Sequence, residues 1–138
     1  MLLDTNVLSA WASPHADEGV RHWLNGLDED RTFVSAISIA ELARGIDRLP
    51  AGRRQSALRD WLQGELLPRF DRRCLPVGAA VALEWAILSG AGTRSGRPID
   101  AFDALIGATA RVHGLTLATR NTRHFKDRGI DLFDPWHG

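Results

Sequence analysis

Short apolar runs alternate with longer segments of helical periodicity along all 138 residues of the chain. Leu2-Leu3, residues 32–35, Cys74-Leu75, residues 115–118 and residues 130–133 are the short runs. They are largely apolar and too short for helices, as strands buried on both faces are. Between them, apolar residues recur at helical spacing. Residues 15–27 carry Val20, Trp23, Leu24 and Leu27, and the segment opened by Ser38 carries Ile39, Leu42, Ala43, Ile46 and Leu49. Residues 53–67 carry Leu58, Trp61, Leu62 and Leu66, and residues 78–89 carry Val81, Leu83, Trp85 and Leu88. A shorter helix is expected at 6–11, a further one at 101–113 closed by Gly114, and a polar loop or turn at 119–124. Pro50 and Pro68 read as helix stops, and residues 90–98, with three glycines and a proline, as a loop. Strand–helix alternation of this kind builds a parallel sheet covered on both faces. The expectation is one α/β domain over residues 1–138, in three α/β/α layers, with a central parallel sheet of four or five strands. Leu2-Leu3 is expected at its centre.

Composition narrows the function classes. No apolar run approaches membrane-spanning length, and the first residues lack the pattern of a secretory leader, so a cytoplasmic protein with no membrane partner is expected. Cys74 is the only cysteine, which leaves no internal disulfide and no thiolate metal cage, and it reads as a core residue. The formal net charge is zero, so the molecule as a whole is no electrostatic footprint for nucleic acid. Lys126 is the only lysine; the other basic residues are arginines. That bias suits phosphate recognition through a planar fork, and genome composition explains it equally.

The polar ends of the strands carry the chemistry. Leu2-Leu3 ends in Asp4-Thr5-Asn6, and in open parallel sheets ligands bind beyond the carboxyl ends of the strands. Asp4 also suits the N-cap of the helix that follows. Glu41 follows the second strand. It lies about 200° round the helix from Ile39, off the core stripe. With Ser38 as N-cap it falls in the first turn and completes a capping box. Asp100 fits the N-cap of the helix beginning at Ala101, and Asp103 falls in its first turn. Thr119 and Asn121 follow the fourth strand, where turn residues are also ordinary. In a parallel sheet Asp4, Glu41 and Asp103 gather on one edge. Three carboxylates so gathered raise one another's pKa unless a cation joins them. Oxygen ligands without Cys or His point to Mg²⁺, with Mn²⁺ able to substitute. Such a site polarises a phosphate and activates a water.

Asp4-Thr5-Asn6, Ala40-Glu41-Leu42, Asp103-Ala104-Leu105-Ile106-Gly107-Ala108 and Ala118-Thr119-Arg120-Asn121-Thr122 together resemble the successive motifs of PIN-domain ribonucleases. The ending Phe133-Asp134-Pro135-Trp136-His137 resembles the FitB-like branch of VapC toxins. The resemblance runs the length of the chain, in order. It implies a three-layer PIN domain and a Mg²⁺-dependent endoribonuclease toxin of a type II toxin–antitoxin pair. RNA would be its substrate, a homodimer its usual state, and an antitoxin its inhibitor, in an assembly that can be larger still. Carried onto this chain, Asp4, Glu41 and Asp103 are the catalytic and metal-binding acids, and Thr5, Asn6 and Thr119 are supporting polar residues. A fourth acid common in the family is matched here by Asn121, so one well-bound metal is expected in the free protein. The resemblance gives Asp100 no place among the core acids.

Arg94, Arg97, Arg120 and Arg123 flank these motifs and are candidates for a phosphate-gripping rim; a solvated surface explains each as well. The dimer is expected to use apolar residues of the helices between Ser38 and Leu67. Two other functions compete. A phosphatase or phosphoryl acceptor would use Asp4 as nucleophile, but the second acid of haloacid dehalogenase-like enzymes is replaced by Asn6, and Lys126 lies past the last loop. A catalytically inactive PIN-like binding module is the other, and Asn121 leaves it open.

Overall fold

The structure, a computed structural model, describes residues 1–138. Five short strands, β1 (Leu2–Leu3), β2 (Phe33–Ser35), β3 (Cys74–Leu75), β4 (Leu117–Ala118) and β5 (Leu132–Phe133), form one sheet in the order β3-β2-β1-β4-β5. Every pairing is parallel: Leu2 lies opposite Phe33 on one side and Leu117 on the other, and Leu3 opposite Val34 and Ala118. β1 is therefore the central strand. The chain walks outward from β1 to β3, then returns to lay β4 on the other side of β1. The order reverses between β1 and β4, where an open parallel sheet leaves a crevice at its carboxyl edge.

Successive side chains of β1 and β4 point to opposite faces and seed two cores. Leu3, Val34 and Ala118 join a cluster with Val7, Leu8, Val20, Leu24, Leu42, Ile46, Leu62, Leu66 and Phe70. These come from α1 (Thr5–Ala12), α2 (Glu18–Asn25), α3 (Ala36–Asp47) and the helical stretch after α4 (Arg53–Trp61). Leu2 and Leu117 face the other way, against Ile106, Ala110 and Phe125. Those belong to α7 (Ala101–His113) and α8 (Thr122–Phe125), and α6 (Ala79–Arg94) packs outside α7. The three α/β/α layers follow. Cys74 packs against the first cluster, and burial pushes its thiol pKa up, as suits a core residue.

Several boundaries differ from the sequence reading. α3 starts at Ala36, with the Ser35 hydroxyl accepting from Ile37 N–H at 3.0 Å. Ser38 is thus inside the helix and wholly buried, and no capping box with Glu41 forms. Glu41 lies in the second turn, because the last β2 residue caps α3 with no connecting residue. Ala43 is exposed; the buried stripe is Ser38, Leu42 and Ile46. Pro68 does not stop its helix. α4 continues through a π-helical stretch, Leu62–Leu66, into α5 (Leu67–Arg69). Leu67 N–H reaches back to the carbonyl of Leu62, and the wider ring accommodates a proline that has no N–H to give. α6 runs on through Gly90 and Gly92, so the expected loop shrinks to the connection after Arg94. Gly92 is needed there: a Cβ would sit 2.7 Å from the Arg97 carbonyl oxygen, which folds back over it.

The large apolar side chains left exposed are Leu67, Val77, Leu83, Ile87, Phe102 and Val112. Only Leu67 lies in the stretch expected to dimerise. Leu83 and Ile87, at 69% and 56% exposure, stand one turn apart on α6.

Candidate functional site

Asp4 follows β1 directly, at the reversal point of the sheet. It does cap α1: its Oδ1 accepts from Thr5 N–H at 2.7 Å. Its Oδ2 accepts from the Thr119 hydroxyl at 2.7 Å and from the Asn6 amide at 3.3 Å. The cap and site readings therefore hold together. Thr119 stands at the end of β4, wholly buried, and its hydroxyl oxygen also accepts from Asn6 Nδ2 and from Asn121 N–H. Asn6 Oδ1 accepts from Arg120 N–H at 3.1 Å. The two strand ends flanking the crevice are thus laced across Asp4.

Glu41 arrives from α3. The Thr5 hydroxyl donates to its Oε1 at 2.7 Å and lies 3.1 Å from the buried Ser38 Oγ. Asp103 arrives from the first turn of α7, whose N-cap is Asp100: the Asp100 carboxylate accepts from Phe102 and Asp103 N–H at 3.1 and 3.3 Å. Asp103 Oδ2 meets His124 Nδ1 at 3.1 Å. Sequence reasoning missed His124, which stands three residues past Asn121 on α8; it also missed Ser38 as a site residue.

The electrostatics join these acids. Asp4 is only 3% exposed, and burial raises its pKa against the lowering of its three hydrogen bonds, with Asp103 raising it further. Burial also raises Glu41, with Asp4 and Asp100 adding repulsion and the Thr5 hydroxyl opposing. Asp103 is raised by burial first; His124 opposes, and Asp100 and Glu41 add to the rise. The three acids therefore share one field of negative charge with no Lys or Arg salt-bridged to any of them. No three His, Cys, Asp or Glu side chains stand close enough to chelate one ion directly. Hard oxygen donors in surplus negative charge, with few direct ligands, fit an ion that keeps most of its waters, as Mg²⁺ does.

Beside Asp103 opens a cleft of about 440 Å³, lined by Arg97, Pro98, Ile99, Asp100, Asp103, Arg123, His124 and Arg128. The four rim arginines are not equivalent in it. Arg97 donates to the carbonyls of Lys126 and Arg123 and so ties the loop before α7 to α8. Arg120 stacks over the Trp136 ring at 5.0 Å, and the Arg94 guanidinium folds back towards Gly90. Arg123 lines the cleft with no partner for its guanidinium. Asn121 is exposed, and its side chain makes no cap bond to α8. A second, more apolar groove of about 570 Å³ runs between α1, α3 and α4 and reaches the site at Thr5 and Glu41.

Comparison with known proteins places the fold in a family. The chain is 39% identical over 137 residues to the protein named Toxin FitB of Neisseria gonorrhoeae, covering 99% of each. It is 36% identical to VapC ribonuclease Y4jK of Sinorhizobium fredii, over 99% of this chain and 97% of that one. Among solved structures, that of FitAcB from Neisseria gonorrhoeae superposes with a TM-score of 0.93 at 39% identity, covering 99% of both chains. The PIN domain family matches residues 1–130, and the chain belongs to it.

Proposed function

We propose that the protein is a metal-dependent endoribonuclease toxin that cleaves RNA by in-line hydrolysis, held in check by a cognate antitoxin. The observation that carries this reading is that Asp4, Glu41 and Asp103 face the crevice beyond β1 and β4 within electrostatic reach of one another, each raised in pKa by burial first and by its neighbours. Bound Mg²⁺, or Mn²⁺ in its place, would neutralise phosphate charge and lower the pKa of an attacking water. Asp4, Glu41 and Asp103 are the carboxylates that would hold it. Thr5 fixes Glu41, Thr119 and Asn6 fix Asp4, and each acceptor is thereby set before substrate arrives. Arg123 is the guanidinium free to meet a phosphate at the cleft. Asp4 is poorly suited to nucleophilic attack, since three donors already occupy its two oxygens.

The groove between α1, α3 and α4 is the surface we assign to the antitoxin. It is lined by Leu42, Ile46, Leu49, Leu58 and Trp61 and ends at Glu41. An arginine carried in by the inhibitor would supply the positive charge the acids lack. Exposed Leu83 and Ile87 offer α6 as a homodimer face beside the helices between Ser38 and Leu67.

The test is cleavage of mixed cellular RNA with Mg²⁺ and with EDTA, by the unmodified protein and by Asp4→Asn. Expected is metal-dependent cleavage that falls at least about 100-fold in the variant, together with loss of the thermal stabilisation that Mg²⁺ gives. Cleavage unaffected by EDTA, or turnover of a phosphate monoester in place of RNA, overturns the reading; inhibitor binding with no cleavage supports the binding module.

A further inference from the structure

Each acid of the site receives a side-chain donor from a different part of the chain, and for Asp103 that donor is His124. Thr119 and Asn6 serve Asp4, and Thr5 serves Glu41. His124 Nδ1 is the one side-chain partner of Asp103, at 3.1 Å from Oδ2. An ionised carboxylate only accepts, so Nδ1 carries the hydrogen and donates it. We propose that His124 is a positioning residue, holding the Asp103 carboxylate by Oδ2 and leaving Oδ1 without a side-chain partner, so that Asp103 is oriented as one of the acids that would hold the metal. The inference rests on the nuclease reading above.

An exposed His–Asp contact is often incidental, and His124 is half exposed. The backbone around His124 argues otherwise, because α8 is held by contacts that do not involve Asp103. Its start is tied through Asn121 N–H to Thr119 Oγ1, the same hydroxyl that serves Asp4. Its far end is anchored by Phe125, wholly buried in the second core. Two arginines then clamp its carbonyls: Arg97 those of Arg123 and Lys126, and Arg128 that of His124 itself, at 2.8 Å. Arg128 also donates to the Arg97 carbonyl at 3.0 Å, which locks the loop before α7 to the loop after α8. His124 is therefore presented to Asp103 from a fixed base, with only its side-chain torsions free. A donor that sets the orientation of a ligand carboxylate changes metal affinity as well as turnover, by about 10- to 100-fold when removed.

Three substitutions test this. In H124N the amide nitrogen stands as many bonds from Cα as Nδ1 does; in H124Q it stands where Nε2 was; H124A has no donor. Mn²⁺ affinity is measured by calorimetry on the full chain, RNA cleavage is followed in Mg²⁺, and melting curves confirm folding. Expected is Mn²⁺ affinity about 10-fold weaker or more in H124A and H124Q, and within about 3-fold of the unmodified protein in H124N, with cleavage in the same order. Affinity and cleavage unchanged in H124A overturn the proposal, and so does an H124N no better than H124Q. An unmodified protein that neither binds Mn²⁺ nor cleaves RNA removes the nuclease reading and this inference together. Normal binding and cleavage with an indifferent H124A removes only the inference.

Discussion

Asp4 is asked to be a helix cap, a hydrogen-bond acceptor for α1 and the end of β4, and a charge in a nearly dry place. The first two roles favour the ionised form; burial and Asp103 oppose it, and burial wins. The consequence is a stability that depends on pH in a direction unusual for an acid. The folded pKa values of Asp4, Glu41 and Asp103 all lie above their ordinary values of 3.8, 4.5 and 3.8. The folded state therefore binds protons more tightly than the unfolded chain. This contribution is fully present below the ordinary carboxylate range and is lost as pH rises through the raised folded values. In EDTA the melting temperature should fall as pH climbs from about 4 through the raised values, net of other groups, and Mg²⁺ should flatten that fall. Melts at matched ionic strength check this; an identical profile with and without Mg²⁺ contradicts it. Asn121 gives a second expectation at this scale. A carboxamide offers a neutral oxygen where an acid offers charge, so calorimetry should find one well-bound Mn²⁺ in the unmodified protein. Asn121→Asp should tighten a second site. Thr5, Asn6 and Thr119 were legible in the sequence because each touches a strand end directly. His124 was not: its partner lies 21 positions away, and the angle that joins them is set by Arg97 and Arg128 bonding to main-chain carbonyls, which no motif announces.

Helices and strands were read well where one force decided their limits, and poorly where two competed. Gly114 ends α7 in the left-handed conformation expected of it, at φ 62°, where a residue without Cβ meets no steric cost. Gly90 and Gly92 look like loop residues, yet packing of α6 on α7 carries the helix through them. Pro68 looks like a stop, but a π-helical turn absorbs it. In α3, Ser35 and Ser38 both suit an N-cap; Ser35 takes the role, and Ser38 is left to the site. The close approach at Gly92 makes a prediction about an element. Gly92→Ala would press a methyl against a backbone oxygen that only a shift of the loop can move. Denaturant unfolding should show a loss of about 1–3 kcal/mol. Because that loop leads into Asp100 and Asp103, cleavage should fall more than stability alone explains.

At the scale of the molecule, α6 is apolar on nearly all sides, as a helix covered on both faces would be. Its inner face meets α7; its outer face, with Leu83 and Ile87, meets solvent in a single chain. A double substitution Leu83→Glu and Ile87→Glu should therefore convert a dimer to a monomer in light scattering. Each chain should keep its fold, because neither side chain belongs to either core. A dimer that survives the change would place the interface elsewhere. The sequence carried the three layers and the central place of β1, since short buried runs between helices admit few arrangements. It did not carry the exposed apolar face of α6, because helical spacing marks an apolar stripe without saying what covers it.

The pairing of β1 with β4 has a consequence in time. Thr119, whose hydroxyl holds Asp4, follows it by 115 positions and is made correspondingly later. At about 5–20 residues per second, on the order of 10 s of synthesis separates the two. Once β2 has been made, the central strand has that neighbour but still lacks β4 for most of the interval, and the crevice has only one wall. A site built this way is not assembled until β4 has been made, and a chain that stops short of Thr119 lacks the hydroxyl that holds Asp4.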